Sequence, residues 1–264
     1  MTDLADGKLK LDRPAPDVAR LTIDNQDKRN ALDHAILDAI AEVVPTIEER
    51  CLLITAAGKV FSAGYDIGGL PRDEFAHRAE SLVAHPFHDA IEALEAFPFP
   101  SVAALNGHAI GGGLELALSC DLRLASSEAL VGMPPARLGL VYSHTGLRKF
   151  LDAIGAARTR ELFFTARNVP AGRAEQWGLV NEVVEPRKLA DRAVEYAAEI
   201  AALAPLSQRG NKRVLADLLA AEGALDPETE RELVELRETC FRSDDFYEGV
   251  RAFAEKRKPE WRGA

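Results

Sequence analysis

Cysteine is scarce in this chain. Cys51, Cys120 and Cys240 are the only three in 264 residues, odd in number and far apart. No CxxC pair occurs, so neither a disulfide framework nor a zinc ribbon is expected, and a reducing cytoplasm is the simplest setting. Long apolar runs are missing too. The longest uncharged stretch, residues 96–114, holds two prolines, four glycines, Asn106 and His108, whereas a membrane span is more uniformly apolar. It reads instead as a buried strand followed by a glycine-rich turn. Residues 1–10 carry Asp3, Asp6 and two lysines but no apolar segment, so no signal peptide is expected. Positive charge is in deficit: 32 basic against 42 acidic residues give a net charge of −10. General nucleic-acid or anionic-membrane binding needs a cationic face and is not expected, although a local basic patch remains compatible.

What is present has globular proportions, 47% hydrophobic and 28% charged, in a chain long enough to bury a core without staples. Residues 8–24 alternate in polarity around a proline-rich break and read as a hairpin or two short strands. Leu32, Ile36, Leu37, Ile40 and Val44 share one helical face. Residues 51–55, 101–105 and 122–125 are short apolar runs typical of buried strands, and residues 74–97 and 114–119 read as helices. Strands alternating with helices point to parallel pairing with helical crossovers. Beyond about residue 200 strand signals stop, and residues 205–219, 227–241 and 246–256 are all helix-like. The division expected is an α/β core over residues 1–200 and a helical region over 201–264.

The densest chemical signal is Asn106-Gly107-His108-Ala109-Ile110-Gly111-Gly112-Gly113-Leu114-Glu115. A strand runs into three glycines that open a helix, where free N–H groups and the positive end of the helix dipole favour developing negative charge. The pattern is neither a Walker A loop nor a dinucleotide loop, and alone it is equally a tight packing turn. A second small-residue loop, Phe61-Ser62-Ala63-Gly64-Tyr65-Asp66, also follows a buried strand. Two such loops after successive strands can aim their N–H groups at one oxygen, the arrangement of an oxyanion hole.

FSAGYDI, NGHAIGGGLELALSCDLRLAS, AEQWGLVNEVV and FAEKRKPEW stand in this order along nearly the whole chain, which resembles the crotonase (enoyl-CoA hydratase/isomerase) superfamily. That resemblance implies an α/β spiral of repeated ββα units with a C-terminal helical trimerisation region. It also implies an acyl-CoA thioester substrate and an enolate held by two backbone N–H groups. By position the donors are Tyr65 and Gly112, with Glu115 as an acid–base group. Ala63, Asp66, Ile67 and Gly68 fall in the loop that lies along coenzyme A, and Lys28, Arg29, Asn30 and Ala31 in the segment framing it from the other side. Phe253, Lys256 and Lys258 fall where the tail covers the adenine and meets phosphates, in a segment, residues 251–264, with a local charge of +3. No separate cofactor and no metal are implied, since coenzyme A enters with the substrate. The partners implied are the acyl-CoA itself and further copies of the chain, as a homotrimer or a dimer of trimers.

Hydratases of this superfamily manage water with two glutamates. Glu115 matches the first; Pro135 stands at the second, and no Asp or Glu replaces it nearby. SAGYDIGGLP, MPPARLGLVY and the tail are more similar to the methylmalonyl-CoA decarboxylase family, in which a tyrosine matching Tyr142 contacts the leaving carboxylate. Loss of CO₂ leaves an enolate and needs no general base. Tyr65 replaces that family's histidine, and Glu115 would sit near an anionic substrate unless protonated. The alternatives are a single-glutamate hydratase or isomerase and a non-catalytic acyl-CoA-binding member. Elsewhere, His85, His88 and Asp89 have metal-like spacing but no third ligand; Ser143-His144 lacks a nucleophile elbow; Cys120 reads as a buried structural thiol.

Overall fold

Residues 1–66, 86–223 and 226–262 are described in a computed structural model. A seven-stranded sheet forms the frame. Its strands are β1 (Thr2–Leu4), β2 (Leu9–Ala15), β3 (Val18–Ile23), β4 (Cys51–Ala56), β6 (Ser101–Leu105), β8 (Leu122–Ser126) and β11 (Glu182–Val184), side by side in that order. The first three are an antiparallel meander, and every later pairing is parallel. A second sheet has the order β10 (Val169–Pro170), β9 (Leu130–Gly132), β7 (His108–Ile110), β5 (Val60–Ser62), with β5, β7 and β9 parallel. The chain places one strand in each sheet and then a helix, and repeats. This is the ββα spiral of the crotonase fold.

Parallel strands buried on both faces read as continuous apolar runs, which is why β4 and β6 were visible in the sequence. On β4, Leu52 and Ile54 face the main core while Cys51 and Leu53 face the other side; Ala103 and Val102 divide β6 in the same way. The second face is covered by α7 (Leu189–Ala201) through Leu189, Ala193, Ala197 and Ala201. The main core packs beneath α1 (His34–Val43), which buries Ile36, Leu37 and Ile40. The Asp33 carboxylate accepts from Ile36 N–H at 3.0 Å and so starts α1 at His34. Leu32, expected inside the helix, instead bridges to Tyr65.

The expected turn over residues 107–113 is corrected. It contains β7, and α3 (Gly112–Leu118) begins two residues after that strand ends. Three residues are too few for a periodic signal, and pairing with β5 and β9 makes the strand. Beyond β9 come α4 (Pro135–Leu138), α5 (His144–Thr165) and α6 (Ala171–Trp177); α2 (Pro86–Ala96) lies earlier, between β5 and β6. From Pro205 onward the described elements are helices: α8 (Pro205–Gly223), α9 (Pro227–Phe241) and α10 (Asp244–Ala254). Among the described residues no helix is long and apolar enough to cross a membrane.

One buried charge secures the α3–β8 junction. Arg123, 7% exposed, donates to Leu179 O and Cys120 O, both at 2.7 Å, and burial pushes its pKa down. Arg123→Met strands these carbonyls without donors and is expected to lower unfolding free energy by at least about 2 kcal/mol in urea titration. Unchanged stability would mean that water replaces the guanidinium.

Candidate active site

Parallel pairing brings three loops to one edge. Ser62 is in register with Ala109, and Ile110 with Gly132, so segments 63–65, 111–112 and 133–135 leave the small sheet side by side. Gly64 has φ +95°, and a Cβ there would stand 2.9 Å from Ile110 O and 3.3 Å from Gly112 N. Only glycine permits that approach. Leu32 N–H donates to Gly64 O at 2.8 Å and Asp66 N–H to Leu32 O at 3.0 Å, which turns Tyr65 N–H away from Leu32. Gly112 opens α3, where helix geometry leaves N–H groups without internal acceptors. Among the described residues, neither Tyr65 N–H nor Gly112 N–H donates to a protein acceptor. Two unpaired donors thus stand on touching loops, a precondition for holding one oxygen between them.

The side chains nearby form a chain of polar groups. The Tyr65 ring lies against Gly112, where a Cβ would come within 2.8 Å of it, and meets Phe87 of α2 edge-on at 4.8 Å. Its hydroxyl interacts with Tyr142. The Tyr142 hydroxyl donates a short hydrogen bond to Glu115 Oε2, and its ring packs at 5.5 Å from Phe163. A Cβ on Gly146 would meet Tyr142 Cε1 at 2.6 Å and Glu115 Oε1 at 2.8 Å, so the first turn of α5 closes directly over the pair. Ser143 Oγ accepts from Gly146 N–H at 3.1 Å and caps α5.

Glu115 is 4% exposed. Burial drives its pKa up to about 7, against the opposing effects of the Tyr142 hydrogen bond and the charges of Lys149 and Arg237; Glu95 adds to the rise. Burial and the neighbouring Glu115 push both phenols well above their usual value. Near neutrality the site therefore holds a carboxyl poised between its two forms, beside two neutral phenols. Pro135, expected where hydratases carry a second carboxylate, occupies the start of α4 next to the other two loops.

The structure joins some of the expected coenzyme A residues and not others. Ala63 N–H donates to Arg29 O at 3.1 Å, and Lys28 Nζ pairs with Asp66 Oδ2 at 2.5 Å. Asn30 is buried and donates to Ala57 O and Val60 O, and Ala31 is buried beside it, so segment 28–31 is fastened to the oxyanion loop. Ile67, Gly68 and His85 lie outside the described residues. Phe253, Lys256 and Lys258 are exposed, and no hydrogen bond or ion pair among the described residues joins them to the Lys28–Asp66 pair. Of the tail's cations, Arg251 and Arg257 are held by Glu248 and Glu255. His88 stands 4.0 Å from Glu92, and Ser143 and His144 form no triad: the first is a helix cap and the second stands 3.7 Å from Glu230. Burial pushes the Cys120 thiol up to about 12, consistent with a structural thiol. Sequence reasoning noted the Tyr65 side chain only as a replacement for the decarboxylase family's histidine and missed its packing on Gly112 and its link to Tyr142. It also missed Gly146, whose only signal is a lone glycine four residues after Tyr142.

This fold with this site is that of the crotonase superfamily, whose members act on acyl-CoA thioesters. Residues 15–264 match the enoyl-CoA hydratase/isomerase family, and the chain belongs to it. It is 34% identical over 249 residues to a short-chain-enoyl-CoA hydratase from Clostridium acetobutylicum, covering 92% of this chain and 93% of that protein. It is 33% identical over 244 residues to the methylmalonyl-CoA decarboxylase of Escherichia coli, covering 89% of this chain and 91% of that one. Among solved structures, a methylmalonyl-CoA decarboxylase in complex with 2-nitronate-propionyl-CoA superimposes with a TM-score of 0.88 at 30% identity, over 97% and 99% of the two chains. Another is complexed with 2S-carboxypropyl-CoA, with the same TM-score.

The raised Glu115 pKa fixes a sign. The folded chain keeps this proton up to about pH 7, whereas an unfolded glutamate releases it near its ordinary value of about 4.3. Between those limits the folded state binds more protons, so stability falls as pH rises through the window and levels off above it. In urea titrations from pH 4.5 to 8, Glu115→Gln is expected to remove roughly 3 kcal/mol of that decline. A decline of equal size in the variant would assign it to other groups.

Proposed function

We propose that this chain removes CO₂ from a methylmalonyl-CoA-like thioester. The observation that carries the reading is the Tyr142–Glu115 hydrogen bond in a site where Pro135 leaves Glu115 as the single carboxylate of the pair. Water addition calls for one group to take a proton and another to give one. Decarboxylation asks for less. The bond between the α-carbon and the carboxylate breaks, its electron pair enters the thioester carbonyl, and the enolate oxygen accepts hydrogen bonds from Tyr65 N–H and Gly112 N–H. CO₂ departs, and the α-carbon then takes a proton. Tyr142 meets the leaving carboxylate; its hydroxyl gives the α-carbon its proton, and protonated Glu115 restores that proton once the bond between them has turned so that the carboxyl donates. The similarity to methylmalonyl-CoA decarboxylases in fold and sequence supports this reading.

A second reading, enoyl-CoA hydration or isomerisation by one glutamate, draws on the Glu115 pKa near 7 and on the hydratase relative. A pKa near the working pH suits a group that both takes and returns a proton. A protein that binds acyl-CoA without turnover is the third. Mass analysis after incubation with methylmalonyl-CoA and with crotonyl-CoA separates them: loss of CO₂ from the first supports decarboxylation, gain of water by the second supports hydration, and no change in a thioester panel supports binding alone. Tyr142→Phe is expected to lower decarboxylation kcat by about 100-fold with little change in coenzyme A binding. Equal losses in both would make Tyr142 structural.

The assignment of Tyr65 and Gly112 as donors belongs to this reading. So does coenzyme A contact by segments 28–31 and 63–68 and by Phe253, Lys256 and Lys258, with no further cofactor required. We place the protein in the cytoplasm, with a core over 1–200 and a trimerisation region over 201–264. Support for the last comes from α8, where Leu206, Val214, Leu215 and Leu218 are at least 57% exposed, an apolar set that a neighbouring copy would cover. Light scattering is expected to give three chains, or six. Leu215→Glu with Leu218→Glu is expected to yield monomer, and an unchanged mass would place the interface elsewhere.

A further inference from the structure

Helix α9 lies across the segment that carries Tyr142, and two contacts fix which face it turns inward. Near its C-terminus, Cys240 Sγ accepts from Val141 N–H at 3.2 Å and donates to Gly139 O at 2.8 Å. Near its N-terminus, Glu230 stands 3.7 Å from His144 Nε2. Arg237 is seven residues from Glu230 and three from Cys240, so helical geometry puts all three on one side. Arg237 therefore faces the 139–144 segment.

Its environment is unusual for an arginine. The Nε atom is enclosed and has no hydrogen-bond partner, and no ion pair of Arg237 exists among the described residues, whereas Arg213, Arg242, Arg251 and Arg257 of the same helical region each hold a carboxylate. An enclosed donor without an acceptor costs free energy unless a ligand supplies one. The facing set by Cys240 and Glu230 turns Arg237 toward the segment that carries Tyr142, at the acyl end of the site, and its positive charge acts to lower the pKa of both Glu115 and Tyr65. The pantetheine arm keeps the phosphates of coenzyme A away from the thioester, so an acceptor arriving here belongs to the acyl group. A guanidinium presents parallel N–H donors that match a carboxylate.

We propose that Arg237 is the specificity group that selects acyl-CoA substrates bearing a second, free carboxylate. The inference rests on the decarboxylase reading for its substrate class, but it concerns binding and not turnover. In CO₂ loss the negative charge leaves the carboxylate for the enolate oxygen. Arg237 accordingly stabilises the bound substrate more than the transition state, and its contribution falls on affinity.

The test uses probes that cannot react. 2-Carboxypropyl-CoA is a thioether lacking the carbonyl that an enolate needs, and propyl-CoA is its counterpart without the carboxylate. Calorimetry on the full chain is expected to show tighter binding of the carboxylated probe. Arg237→Gln should weaken that probe by about 10-fold or more and propyl-CoA by less than about 2-fold, and Arg237→Lys should retain part of the preference. Equal weakening of both probes, a preference that survives Arg237→Gln, or no preference in the unaltered chain overturns the proposal. Should Arg237→Gln fail to fold, Arg237→Lys decides: an undiminished preference with the planar fork gone overturns it, and a reduced preference at unchanged propyl-CoA affinity upholds it. A preference that depends on Arg237 in a chain that releases no CO₂ would leave this proposal standing and remove the decarboxylase reading.

Discussion

The hydrogen bond from the Tyr142 hydroxyl to Glu115 joins two parts of the chain that are otherwise tied through different layers of the fold. Glu115 belongs to α3, anchored to the sheets on either side; Tyr142 belongs to the lead-in of α5, held from above by α9 through Cys240. Because the carboxyl is buried, losing this bond would leave an isolated polar group in an apolar setting. The glycine at 146, the cap at Ser143 and the ring of Phe163 all serve the same approach. The site is assembled by requiring one oxygen pair to meet, and the surrounding small residues make room for it.

That arrangement also makes an acidic side chain compatible with the anionic substrate proposed above. A carboxyl with a pKa near 7 spends much of its time neutral at the pH of a cell, so a second negative charge can enter. Lys149 favours the charged form and its partner Glu95 opposes it, so the two act in opposite directions. The remaining positive influence comes from the C-terminal helices. The tail thus does more than bury apolar surface: one of its helices positions the loop ahead of α5 and contributes to the field inside the site.

Much of the fold was legible in the residues. Strands buried on both faces announce themselves as apolar runs, and α1 and the C-terminal helices carry long amphipathic patterns. The small sheet was not legible, because strands of two or three residues have no period. Of the site, the triple glycine and the FSAGYDI loop were readable as two small-residue loops following successive strands, and position 135 as one without an acidic side chain. The inward turn of the Tyr65 side chain and the placement of Arg237 were not, since both depend on packing between segments far apart in the chain. Leu32 shows the same limit at closer range: its apolar character suited the helix, but the Asp33 cap and the bridge to Tyr65 decided its state.

The short parallel ladder of β5, β7 and β9 has a consequence for how such a site can change. Each strand hands over to its own loop at the same level, two loops offering peptide groups and the third offering a side chain. The peptide groups bring no side-chain chemistry of their own and depend on small residues that let the first two loops touch, whereas the third loop is defined by its side chain. On the proposed reading, exchanging the residue at 135 alters the proton inventory while leaving the Tyr65 and Gly112 peptides in place. The scaffold separates the component common to many reactions from the component that chooses among them, so a new activity can be reached by replacing one module without rebuilding the other.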